Sequence, residues 1–230
     1  MLKATINYAR TSAYNFFPVA GFETVSKNTD FSLKMPVMPY SYNALEPFMD
    51  SLSLRNHFYN FHIAGYVKML ELMNTNGENF SMEQLISEID NPSDERLNCA
   101  GSIINHQLYW ENLSPYGGEI SGDFRRAIER DFGSVSSFKL ELLSRALRFS
   151  ANGWIWLIMD YRQVLRIVTT PNNINPEMKA SRDKGTPLMA IDLWDHAFIH
   201  NPLSDKKEYL KKILLIINWE EVSSRYHNAL

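Results

Sequence analysis

The chain reads as an α+β protein, with an N-terminal antiparallel helical hairpin followed by a lobe in which a small three-stranded antiparallel sheet is covered by helices. Three observations predict this. Apolar residues recur at helical spacing from Leu45 to Met73 and again around Ile103, Ile104, Leu108 and Trp110. Ser114-Pro115-Tyr116-Gly117-Gly118 is dense loop punctuation. Beyond it come short runs rich in β-branched and aromatic residues, bounded by polar turns.

After Pro36 and Pro39, Leu45, Leu52, Leu54, Phe58, Phe61, Val67, Leu70 and Met73 hold one broad apolar face until Asn76-Gly77 ends it, with Gly65 as a local weak point. Ser81-Met82-Glu83-Gln84 has the form of a capping box that opens a short helix, and Asn91-Pro92 closes it before the second long helix. Helices are expected at 122–132 and 135–149. Trp154 to Met159, Val164 to Val168 and Leu188 to Asp192 are the expected strands, and helical spacing returns from Lys206 to Ile217 and from Trp219 to His227. The expected organisation is an extension over 1–34, a helical-hairpin lobe over 35–115 and an α/β lobe over 116–230.

Composition narrows the function. A chain of 230 residues that is 45% hydrophobic and 13% aromatic can bury a substantial core. Its net charge of -3 offers no general field for nucleic-acid phosphates. The lone cysteine, Cys99, cannot form an internal disulfide and reads as a buried, inert thiol. Apolar runs such as Trp154–Met159 and Ile213–Ile217 are too short to span a membrane. Met1 to Phe22 lacks acidic residues and carries Lys3, Arg10 and Ser12, which is the bias of a mitochondrial or plastid transit peptide and equally fits an ordered N-terminal extension; the expected location is mitochondrial.

Asn105-His106 falls inside the second long helix, and Asp192 and His196 fall where the third strand gives way to a helix. Three imidazoles and one carboxylate form a nitrogen/oxygen set suited to iron or manganese, and His57 on the first helix would complete it. Met38-Pro39-Tyr40, Ala44-Leu45-Glu46-Pro47, Asn105 to Trp110, Asp131-Phe132-Gly133-Ser134, Gly153 to Leu157, Asp192 to Ala197 and Asn218 to Val222 come in an order that resembles the iron/manganese superoxide dismutases over roughly residues 36–227. The resemblance implies that His57, His106, Asp192 and His196 bind one iron or manganese ion per chain, with solvent as a further ligand. The implied reaction is an oxidoreductase's dismutation of superoxide.

Departures from the family pattern are as informative. The family places a histidine four residues and a tyrosine eight residues past the first ligand; here those offsets hold Phe61 and Gly65, while His62 and Tyr66 each lie one residue farther along. A one-residue bulge would return His62 and Tyr66 to the catalytic gate and keep His57 as ligand. An unbroken register counted back from Tyr66 would put Phe58 at the ligand position. With no insertion, His57 stays, His62 is the second histidine of the family's pair and Gly65 stands at the gate. The outer glutamine is missing too: its iron-type position holds Ser102 and its manganese-type position Asn173. At the family's two-fold contact, Asp195 and Ile199 replace a glutamate and a tyrosine. Two functions follow: a dismutase acting on superoxide, as a homodimer or otherwise, or a catalytically weak or silent dismutase-like subunit of a large mitochondrial assembly such as a ribosomal small subunit or a respiratory complex.

Overall fold

The computed structural model describes residues 33–76, 81–198 and 205–230. The expectations for residues 1–32, for Gly77 and for Ile199 fall outside these described residues. Leu33 to Leu230 form one compact unit.

The first helix starts later than the apolar spacing suggests. Residues 42–48 are turns, and α1 spans Ser51–His57 with the Asp50 carboxylate accepting from the Ser53 amide at 2.9 Å. Pro47 has no amide hydrogen to continue a ladder, and Asp50 supplies the side-chain cap that a helix start requires. A π-helical segment, Phe58–Ile63, follows directly, and α2, Ala64–Asn76, completes the arm. The arm is thus locally widened just after His57.

The capping box forms as expected. Ser81 Oγ accepts from the Gln84 amide at 3.1 Å, the Gln84 side chain accepts from the Ser81 amide at 2.8 Å, and α3 runs over Met82–Glu88. Asp94 caps α4, Glu95–Glu111, which packs along α2 to make the hairpin. The 115/116 boundary lies in the loop after α4. In that loop Gly117, at φ +59°, passes so close to the Leu215 carbonyl that a side chain would collide with it.

Two further helices, α5 over Gly122–Phe132 and α6 over Val135–Arg148, precede the sheet. Its strands are β1, Gly153–Met159, β2, Leu165–Pro171, and β3, Thr186–Asp192, in the order β2-β1-β3 and antiparallel throughout. Every residue of β1 is buried, as expected of a central strand covered on both faces, which is why it reads as an unbroken apolar run. Helices α7, Lys206–Leu215, and α8, Trp219–Asn228, close the lobe.

This arrangement fixes the end of β3. Trp154 of β1 is paired with Asp192, and the Tyr209 hydroxyl on α7 donates to the Asp192 carbonyl at 2.9 Å. Asn112, just after α4, donates to the Ala190 carbonyl at 3.0 Å and ties the hairpin to the same strand. Cys99 is buried in the hairpin, and burial pushes its thiol up to about 11, as expected of an inert group. No helix among the described residues is long and apolar enough to cross a membrane.

Candidate metal centre

Four side chains from four different places in the sequence converge behind the hairpin. His57 ends α1, His106 lies in α4, Asp192 ends β3, and His196 sits where the strand was expected to pass into a helix, on a three-residue 3₁₀ turn, Asp195–Ala197. One donor atom from each lies within 4.8 Å of all the others. Asp192 Oδ2 is the common neighbour, 3.0 Å from His57 Nε2, 3.2 Å from His196 Nε2 and 3.6 Å from His106 Nε2. Asp192 is fully buried, His57 and His106 nearly so, and the His196 side chain retains 11% exposure.

The surrounding bonds orient these donors. His106 Nδ1 donates to the Ser102 carbonyl one helical turn earlier at 2.7 Å, so Nε2 is left as a lone pair, and that buried atom has no hydrogen-bond partner. Burial, and then the charge of His57, push His106 well below the usual histidine range, so it is neutral. Burial opposes ionisation of Asp192, but the charge and hydrogen bonds of His196 and His57 outweigh it and hold the carboxyl well below its ordinary range. Asp192 Oδ1 accepts from the Trp194 amide at 2.8 Å, which fixes the rotamer. Three imidazole nitrogens and one carboxylate oxygen converging in a largely buried pocket are the donor set of a hard or borderline cation. The residues fit iron or manganese.

Comparison with known proteins agrees with this geometry. Residues 32–114 match the family model described as iron/manganese superoxide dismutases, alpha-hairpin domain, and residues 120–225 match the model of the C-terminal domain of the same family. A manganese superoxide dismutase of Buchnera aphidicola subsp. Baizongia pistaciae is 37% identical over 201 residues, covering 84% of this chain and 96% of that protein. Those of Yersinia enterocolitica and Escherichia coli (strain K12) are each 34% identical, covering 86% and 85% of this chain and 99% and 98% of theirs. The chain belongs to the iron/manganese superoxide dismutases.

In this chain the π-helical segment decides what surrounds the donors. His57 joins the cluster, whereas Phe58 is buried in the main core. Sequence spacing with a bulge put His62 at the gate, but its ring is fully buried, and its Nδ1 accepts from the Trp110 indole at 3.1 Å. Burial, and then the charge of His57, lower it to about 3. The ring that lies on the partly exposed ligand is Phe61, stacked on His196 with centroids 3.5 Å apart and planes 9° from parallel. Tyr66 is half-buried, donates to the Leu33 carbonyl at 3.3 Å and packs beside the cluster formed by Met69, Leu85, Cys99, Ala100 and Ile103.

The two short replacements for the outer glutamine are both engaged. Ser102 Oγ donates to the Phe61 carbonyl at 3.3 Å, and a Cβ on Gly65 would stand only 2.7 Å from that oxygen. Asn173 Oδ1 accepts from the Trp154 indole at 3.2 Å, while its Nδ2 donates to Asn98 at 3.2 Å. Asn98 gave no sequence signal, since one more polar residue on a helix face carries none. Asp195 is exposed.

Proposed function

We propose that this chain dismutates superoxide at a single iron or manganese ion held by His57, His106, Asp192 and His196. The observation that carries the reading is the meeting of three imidazole nitrogens and one buried carboxylate oxygen within 4.8 Å of one another. A bound ion of this kind supplies reversible one-electron chemistry, by which two superoxides and two protons become dioxygen and hydrogen peroxide.

The chain's own residues do the rest. Asp192 contributes negative charge that offsets a cation in a site burial would otherwise make hostile to it. Ser102 fixes the tautomer of His106, and Trp110, Trp154 and Trp194 wall the site, their rings lying 4.8 Å from His57, 5.0 Å from His106 and 5.7 Å from His196. His62 enters the proposal as a support that acts through Trp110, whereas the Tyr66 hydroxyl is spent on the Leu33 carbonyl at the separate hairpin cluster.

A second reading, a silent dismutase-fold subunit, draws on Asn173, whose amide nitrogen is committed to Asn98. Loading the full chain with manganese or iron and following superoxide consumption separates the two. Metal-dependent consumption supports the dismutase; stoichiometric metal without consumption favours the silent subunit.

A further inference from the structure

We infer that Phe61 is a positioning residue that holds His196 in its ligating orientation by stacking flat against the imidazole. The inference rests on the metal-site reading above and concerns how this chain keeps the least anchored donor in place. Three of the four donors are built on regular elements: His57 and His106 on helices, Asp192 at the end of a strand whose partner is fully buried. His196 stands on a 3₁₀ turn of three residues and is the donor with 11% of its side chain exposed. A short turn gives little backbone constraint, and a partly wet ring is freer to rotate.

The rings supply what the turn lacks. Phe61 lies face to face with His196 at 3.5 Å and 9°, and Trp194 stacks on His196 at 5.7 Å and 30°. Phe61 also meets the edge of His57, at 5.9 Å and 88°, so one side chain touches two of the donors. The π-helical segment makes this possible, because its wider turn shifts the residues after His57 around the axis and delivers Phe61 to His196. Its carbonyl accepts from Ser102 Oγ at 3.3 Å, which pins the segment to α4.

The test is manganese release from the loaded full chain to excess EDTA at neutral pH, comparing the wild type with Phe61→Leu and Phe61→Tyr. Leucine fills much of the volume without a flat face, whereas tyrosine keeps the face. The expected result is release about fivefold faster in Phe61→Leu, in line with the loss of one aromatic contact, with wild-type release in Phe61→Tyr. The melting temperature of the metal-free leucine variant should stay within a few degrees of wild type. Wild-type release from Phe61→Leu, or equally fast release from both variants, overturns the stacking role while leaving the metal site intact. A wild-type chain that takes up no manganese overturns the stacking role and the metal-site reading together.

Discussion

The indole N–H of Trp110 donates to His62 Nδ1 at 3.1 Å, and Trp110 in turn sets its ring 4.8 Å from that of His57. The bond fixes the proton of the neutral His62 ring on Nε2 and satisfies the buried Trp110 donor. Replacing His62 with phenylalanine keeps an aromatic ring but strands that N–H. The unfolding free energy should fall by about 1–3 kcal/mol, read from urea denaturation at neutral pH. An unchanged midpoint would mean that the indole finds another acceptor.

The same histidine makes stability depend on pH in a definite direction. Its pKa falls from 6.5 to about 3 on folding, so the unfolded chain binds the proton first as pH drops. Stability is fully present above about 6.5 and is lost as pH falls from there toward 3, by about 1.4 kcal/mol per pH unit for this group. His106 shifts in the same direction and adds to the loss. Denaturation of the metal-free chain at pH 7, 6 and 5 should show the decline, and His62→Phe should lessen it. Parallel declines in both proteins would place the titration elsewhere.

Helix α4 offers a test of close packing. Glycine to alanine inside a helix normally stabilises by about 1 kcal/mol. At Gly101 the added methyl would overlap the carbonyl oxygen of Asn173, which also accepts from Asn105 Nδ2 at 3.1 Å. Gly101→Ala should therefore destabilise, by about 3 kcal/mol, through separation of the loop after β2 from the helix that carries His106. Thermal unfolding decides the sign.

Asp192 is the shared neighbour of all three imidazoles, and its removal should affect metal far more than fold. Asp192→Asn retains an oxygen for the Trp194 amide but loses the charge. Manganese affinity should drop by more than about a hundredfold in a competition titration, beyond the loss seen when only a residue supporting a ligand is changed. Retained affinity would show that the imidazoles suffice.

Much of this was legible from the residues, and what was not has a physical reason. The Ser81–Gln84 box, the strand ending at Asp192 and the second hairpin helix with His106 are local, since capping, apolar runs and Pro-containing breaks act over a few positions. The first arm was harder. Phe58-Tyr59-Asn60-Phe61-His62-Ile63 contains no glycine or proline, and a helix that widens by one residue leaves no mark in composition, so spacing admitted the bulge but could not aim the side chains. Phe61 on His196 and His62 on Trp110 are consequences of that unseen rotation. The Asn173–Asn98 bond joins residues 75 positions apart, and no local pattern announces it.

The central claim is that His57, His106, Asp192 and His196 form one metal site, and metal stoichiometry tests it most directly. Elemental analysis of the purified full chain, beside His106→Ala prepared in the same way, should give close to one iron or manganese per wild-type chain and little in the variant. A wild type without metal, or a variant that keeps it, would contradict the account.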